Sequence, residues 1–249
     1  MSYLSGNYAF LIDIGRVRTT NEDSANAVIN SYGNVLLLVA DGMGGANKGE
    51  YASNTLVKNL VKEFLDLDKE FVNAKQIKKW LNTVIVNINN KIYAKSLKDK
   101  EYEGMGTTLS LCLIVKDLLV TAQVGDSRIY QIKNGRLTQI SVDQTYAQYL
   151  VSEKKISPSE ANTHKDRHML TNAIGVKRNV SVDLNSFDYN GEKILVCSDG
   201  LYNNVNFSVI ESILKGNDTV DRKCLQLITF GNANGGSDNM AVVIWESNE

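Results

Sequence analysis

Cysteine is scarce and unpatterned in this sequence. Cys112, Cys197 and Cys224 lie within apolar segments and form no Cys-x-x-Cys pair. A disulfide framework is therefore excluded, and buried free thiols of an intracellular protein are the expectation. Histidine is scarcer still. His164 and His168 could share one helix face, but no partnering glutamate motif accompanies them. They are expected as surface or packing residues, and a zinc site is not. No apolar run approaches the roughly 18 residues that suggest a membrane span. The start, Met1-Ser2-Tyr3-Leu4-Ser5-Gly6, lacks the basic region and apolar core of a signal peptide. An excess of either charge is also missing: the formal net charge is −1 and the pI about 6.2. No polybasic surface for nucleic acid or membrane is implied. Cytoplasmic placement is the resulting expectation.

What is present suffices for one large domain over residues 1–249 with an ample apolar core. There is no internal repeat, low-complexity tract or linker. Strand-like runs occur at 8–12, 25–29 and 35–40. After a glycine-rich break, Val57, Leu60, Val61 and Phe64 recur at helical spacing. Ile77, Leu81, Val84, Ile85, Ile88 and Ile92 make a second, longer stripe. Both helices are amphipathic and need a surface to cover. From 107 to 140 the pattern is β, with Lys116-Asp117 and Asn134-Gly135 as hairpin turns, and reads as an antiparallel meander. The polar segment 143–175 is helical in parts. Ser157, Pro158 and Glu160 supply an N-cap, a first-turn proline and a capping box. Strands are expected at 180–187, 194–197 and from Met240 through Trp245, with helices around 207–214 and 220–230. Helices grouped between runs of antiparallel strands imply an α+β domain.

Four aspartates stand beside glycine or at the edge of these apolar runs: Asp41, Asp126, Asp199 and Asp238. One such carboxylate is ordinary turn chemistry. Four suggest strand ends converging on a hard cation, since carboxylate oxygens are the ligands that Mg²⁺ and Mn²⁺ prefer. Asp41-Gly42-Met43-Gly44-Gly45 adds glycines that let backbone carbonyls approach a metal. Gly104-Met105-Gly106-Thr107-Thr108 precedes a strand and lacks the lysine of a phosphate loop, so it is expected to shape the backbone.

In order, the chain reads Asp-x-Gly-x-x-Arg-x-x-Asn-Glu-Asp from Asp13, Asp-Gly-Met-Gly-Gly from Asp41, Gly-Met-Gly-Thr-Thr from Gly104, Gly-Asp-Ser-Arg from Gly125, Ser-Asp-Gly from Ser198 and Asp-Asn at Asp238. With these six motifs it resembles the protein phosphatase 2C family of metal-dependent serine/threonine phosphatases, compact bacterial type, from about Tyr8 to Trp245. The resemblance implies a four-layer αββα sandwich: two packed antiparallel sheets flanked by helices on both outer faces. It implies that Asp41 bridges two divalent cations, Mn²⁺ or Mg²⁺, with the Gly42 carbonyl on one and Asp199 and Asp238 on the other. Asp126 would share a third cation with Asp199. Asp23, with Glu22 beside it, would stand behind the ligands and accept hydrogen bonds from water on the metals. Arg18, rather than Arg16, falls where the family binds phosphate. The expected reaction is direct hydrolysis of phosphoserine or phosphothreonine by metal-activated water, with phosphoproteins and a cognate serine/threonine kinase as partners and a monomer as the default state.

Two positions depart from the family pattern. Met43 stands where some members carry a histidine that protonates the leaving group, so no protein general acid is named. Gln144 replaces the histidine often found between Asp143 and residue 145, and Asp143 is read as a cap. The segment 146–168 corresponds to the family's variable flap. Two other readings are a pseudophosphatase that only binds phosphoproteins, which the complete acidic set disfavours, and a hydrolase of small phosphoesters.

Overall fold

The computed structural model describes residues 4–44 and 48–248. Gly45, the last residue of the Asp-Gly-Met-Gly-Gly motif, and residues 1–3 lie outside the described residues. The apolar runs form strands that are covered on both sides. In β3 (Val35–Met43), Leu36, Leu38 and Ala40 face one apolar layer while Val35, Leu37 and Val39 face another. Alternate side chains of a strand point to opposite faces, so a strand buried twice reads as unbroken hydrophobic sequence. In β11 (Met240–Ser247), Met240, Val242 and Ile244 likewise face one layer, and Ala241, Val243 and Trp245 the other.

All strand pairs that the sheets contain are antiparallel among the described residues. One sheet runs β1 (Gly6–Asp13), β11, β10 (Lys193–Cys197), β7 (Arg128–Lys133), β8 (Arg136–Gln139). The other runs β2 (Asp23–Ile29), β3, β5 (Leu109–Val115), β6 (Leu118–Val124), β9 (Asp183–Asp188), with the short β4 (Gly106–Thr107) paired to the end of β3. The sheets pack face to face through Val35, Leu37, Ile194, Val196, Val243 and Trp245. The indole N–H of Trp245 is satisfied inside this layer, donating to Tyr189 Oη at 2.7 Å.

Helices cover both outer faces. α1 (Lys48–Leu65) and α2 (Ala74–Lys98) lay Leu56, Leu60, Phe64, Ile77, Leu81, Ile85 and Ile88 on the β3 sheet. α5 (Asp199–Asn204), α6 (Phe207–Lys215) and α7 (Val220–Ala233) cover the other sheet with Leu201, Ile210, Leu214, Cys224 and Leu227. This is the αββα sandwich that the resemblance implies. The polar segment contributes α3 (Tyr146–Ser152) and α4 (Pro158–Ala161), the latter with the expected capping box between Ser157 and Glu160. All three cysteines are buried and free.

Three expectations change. The stretch 107–140 is not one meander: β5 and β6 belong to one sheet, β7 and β8 to the other. The hairpin turns at Lys116 and at Asn134-Gly135 are real, with positive φ at all three residues. Between them the chain crosses from sheet to sheet through Gly125-Asp126-Ser127, and Gly125 takes φ +91° against the Thr108 side chain. The strand expected from 180 begins at Asp183, because Val180 and Val182 pack into the outer layer without joining the ladder. α5 leaves no periodic signal in the sequence, because six residues are too few for one.

Candidate metal centre

Each acidic residue of the site is placed by backbone that another motif clamps. Asp23 and Asp41 are partners across the β2–β3 ladder, so their side chains leave the same face as near neighbours. The Asp41 N–H donates to Thr108 Oγ1 at 2.9 Å, and its carbonyl accepts from Thr108 N–H at 2.8 Å and Thr107 Oγ1 at 3.0 Å. Thr108 Oγ1 and Ser127 Oγ share a hydrogen bond of 2.7 Å. The Gly-Met-Gly-Thr-Thr motif thus fixes the backbone, as expected, and ties Asp41 to the crossing that carries Asp126.

The last two motifs interlock in the same way. Asn239 Nδ2 donates to the carbonyls of Ile14 and Thr20, both at 2.9 Å, and its Oδ1 accepts from Glu22 N–H at 2.9 Å. It staples the loop between β1 and β2 beneath Asp238. Gly200 meets this staple so closely that a Cβ there would drive into the Asn239 carbonyl oxygen. Gly200→Ala is therefore expected to destabilise the fold by about 1–3 kcal/mol or more, as overpacking does. Chemical denaturation of the variant checks this; an unchanged midpoint would mean the contact relaxes freely.

These elements frame a cleft of about 470 Å³ lined by Arg18, Glu22, Asp41, Asp126, Asp199 and Asp238. Asp23 lies behind them, 3% exposed, and accepts from Ser198 Oγ at 2.6 Å. Ser198 Oγ in turn accepts from Ala241 N–H at 2.8 Å, which joins the site to β11. Glu22 accepts from Gly49 N–H at 3.1 Å and so also caps the start of α1. Arg18 reaches Asp238 at 2.8 Å while half-exposed at the rim. Arg16 does not line the cleft; its N–H donates to the Gly236 carbonyl at 2.7 Å.

Electrostatics says what this arrangement requires. Burial, reinforced by the charges of Asp199, Asp238 and Glu22, pushes the Asp23 carboxyl up to about 8 despite its bond from Ser198. Burial and the charge of Asp199 bring Asp126 up to about 7. Asp41 rises well above the usual carboxylate range, through burial and the charges of Asp23, Asp199, Asp126 and Asp238. Asp199 is raised by burial and by Asp238. Carboxylates crowded out of water hold protons until a cation replaces them. The donors are predominantly hard oxygens, so Mn²⁺ or Mg²⁺ fits the residues present.

The sequence match decides the family. Residues 16–225 match the family model described as protein phosphatase 2C. The chain belongs to the protein phosphatase 2C family. The serine/threonine phosphatase stp of Listeria welshimeri is 34% identical over 96% of this chain and 95% of its own. The solved serine/threonine phosphatase of S. agalactiae superposes with a TM-score of 0.90 at 33% identity, covering 97% of this chain and 99% of that one. The catalytic domain of the phosphatase PstP in complex with two manganese ions gives a TM-score of 0.85 at 34% identity, covering 99% of this chain and all of that one.

Within this protein phosphatase 2C scaffold, the structure corrects the reading of Asp143 and adds contacts for His168 and Gln144 that the sequence did not show. His168 is a surface residue, as expected, but it also faces the cleft. Its Nδ1 lies 3.9 Å from Asp199 Oδ2, and Asp126, His168 and Asp199 offer ligand atoms within 4.8 Å of one another. No local spacing signals this, because the contact joins the end of the 146–168 segment to the start of α5. His164 is the packing residue: its ring lies 6.2 Å from that of Tyr146, and its Nδ1 accepts from Asp166 N–H.

Asp143 is not a cap; Thr145 caps α3. Asp143 instead takes three hydrogen bonds of 2.7–3.1 Å from the Arg128 guanidinium. Arg128 stacks 3.6 Å from the Tyr202 ring centre, and Tyr202 Oη donates to the Asp126 carbonyl at 3.0 Å. The pair thereby braces the backbone of a site aspartate. Gln144 uses its amide to the same end. Its Oε1 accepts from Gly125 N–H at 3.0 Å and Asn172 Nδ2 at 2.8 Å, and its Nε2 donates to the Gln123 carbonyl at 3.3 Å. A neutral amide that both donates and accepts thus bridges these neighbours.

Proposed function

We propose that Asp41, with the Gly42 carbonyl, Asp199 and Asp238, holds two divalent cations, and that Arg18 binds the phosphate of the substrate. The family is one of phosphoprotein phosphatases, and this chain is a metal-dependent hydrolase of phosphoserine and phosphothreonine in proteins. The single observation that carries the site assignment is the crowding of Asp41, Asp126 and Asp199 in one cleft with Asp23 directly behind them, each with a raised carboxyl pKa. The cations, when bound, supply the lowered water pKa and the neutralised phosphoryl charge that hydrolysis of a phosphate dianion needs.

The chain's own residues do the rest. Arg18 is fixed by Asp238 at the cleft rim and presents further guanidinium N–H groups to phosphate oxygens, a geometry suited to bidentate recognition. Asp23, buried behind Asp41, would be ionised once cations displace the protons of the cluster, and then accepts a hydrogen bond from water entering the cleft. Met43 lines the cleft as a thioether and cannot protonate a leaving alkoxide, so solvent does so. Asp126 and Asp199 with His168 form the candidate third site. An imidazole suits Mn²⁺ better than Mg²⁺, which favours manganese there. Asp238 completes the pair of cations rather than this third position.

Phosphoproteins as substrates imply an opposing serine/threonine kinase, and we assign it as the functional partner. A single catalytic domain, working as a monomer in the cytoplasm with 146–168 as the flap, accords with the three buried free thiols and with the absence, among the described residues, of any helix long and apolar enough to cross a membrane. The test is phosphate release from a phosphothreonine peptide with Mn²⁺, then with a chelator. Release that needs Mn²⁺ is the expected result. Arg18→Ala should raise KM and lower kcat/KM by about tenfold or more, the scale of one lost charge-assisted bond, while both cations stay bound. Loss of the cations in that variant would show that Arg18 holds Asp238 in place instead of phosphate.

A further inference from the structure

The metal cleft continues into two neighbouring hollows. One, of about 460 Å³, shares Met43 and Leu170 with the cleft and ends at Lys177. The other, of about 520 Å³, shares His168 with it and contains Arg128 and Arg167. The two hollows meet the cleft at different residues, which gives an extended chain with its phosphorylated residue at the aspartates two places for its flanks.

The walls of the Lys177 hollow are built. Asn172 Nδ2 donates to Gln144 Oε1 at 2.8 Å and to the Ser181 carbonyl at 2.6 Å, and Thr171 Oγ1 donates to the Gln144 carbonyl at 2.9 Å. Asn89 of α2, fully buried, accepts from Gly175 N–H at 2.8 Å and donates to the carbonyls of Lys177 and Arg178, both at 3.0 Å. The backbone of Lys177 is thereby fixed. Its ammonium, however, has no ion-pair or hydrogen-bond partner among the described residues, and no carboxylate lines that hollow. In the other hollow Arg128 is committed to Asp143, whereas Arg167 has no ion-pair partner among the described residues. Each of the two hollows beside the metal cleft therefore carries one uncommitted cation among the described residues, in a protein whose net charge is −1.

We propose that Lys177 is a specificity residue: it selects phosphoprotein segments with an anionic side chain, carboxylate or second phosphate, within a few residues of the scissile phosphate on one side. Arg167 acts likewise on the other side. Complementary charge at a rim mainly steers and selects, so the effect lies in kcat/KM. The proposal rests on the phosphatase reading. Its test uses phosphothreonine peptides with Ala, Glu, Lys or phosphoserine placed on one side or the other, against the Mn²⁺-loaded wild type, Lys177→Ala, Lys177→Glu and Arg167→Ala. The Glu-over-Ala ratio of kcat/KM should be about two- to fivefold in the wild type, the range of a partly exposed ion pair. Lys177→Ala should abolish the ratio on one side only, Lys177→Glu should invert it there, and Arg167→Ala should abolish it on the other side. The phosphoserine arm shows whether phosphate is preferred to carboxylate. No discrimination in the wild type, or discrimination that survives Lys177→Glu on both sides, overturns the proposal. Equal loss on both sides from one substitution also overturns it, because that is the signature of a general field and not of a subsite. Hydrolysis of p-nitrophenyl phosphate by the wild type separates this failure from failure of the phosphatase reading itself.

Discussion

Asp41→Asn is expected to lower phosphate release by about a thousandfold or more, and yet to raise the melting temperature of the metal-free protein near pH 8. The first effect follows from its position. Asp41 is the residue assigned to both cations, and loss of even one electrostatic stabiliser of a transition state removes 10²–10³ of rate. The second follows from its surroundings. Asp41 is crowded by Asp23, Asp199, Asp126 and Asp238, and its carboxyl is pushed well above the ordinary range. At pH 8 burying this carboxyl costs either repulsion or the uptake of a proton that the unfolded chain does not bind; the amide removes that cost while keeping the shape. Its backbone clamps to Thr107 and Thr108 do not involve the side chain, so the variant should fold. Thermal unfolding in a chelator and phosphate release with Mn²⁺ read the two effects. A variant that keeps full activity, or that melts below the chelated wild type at pH 8, contradicts the assignment.

Metal removal should also reverse the pH dependence of stability. A carboxyl whose pKa is raised on folding binds more protons folded than unfolded, so its contribution makes stability fall as pH rises between the two values. For Asp23 that window runs from the ordinary 3.8 to about 8, and for Asp126 from 3.8 to about 7. The chelated protein is therefore expected to melt at a higher temperature at pH 5 than at pH 8. Bound cations remove the effect, because they displace the protons and neutralise the ionised cluster. The Mn²⁺-loaded protein should lose stability toward pH 5 instead, and Mn²⁺ uptake near pH 6 should release protons. Melting curves across pH 5–8, with chelator and with Mn²⁺, separate the cases. A chelated protein that grows steadily more stable toward pH 8 would remove repulsion among the aspartates from the account.

The layering was legible because burial on both faces leaves an unmistakable mark: the run 35–40 and the run from Met240 have no polar alternation. The α1 and α2 stripes were legible for the complementary reason, a single covered face at helical spacing. What sequence could not show is where the chain changes sheet. Gly125-Asp126-Ser127 looks like one more turn in a meander, and only the packing of Thr108 against Gly125 and Ser127 reveals it as the crossing. The same distinction governs the site. The strand-edge aspartates were visible because the element that carries each one is local. His168, the Arg128–Asp143 brace and the amide of Gln144 act on residues distant in sequence, and no spacing announces such contacts. Resemblance to the family placed Asp23 and Arg18; burial behind Asp41 and the ion pair with Asp238 give those placements physical content.

We propose that one carboxylate, Asp41, would be shared by two cations. Electron paramagnetic resonance of the Mn²⁺-loaded protein addresses it most directly, since two Mn²⁺ ions joined by a carboxylate couple magnetically while separated ions do not. Two tightly bound Mn²⁺ per chain with a coupled spectrum, both lost in Asp41→Asn, are expected. A single magnetically isolated Mn²⁺, or two uncoupled ions that persist in Asp41→Asn, would contradict the proposal.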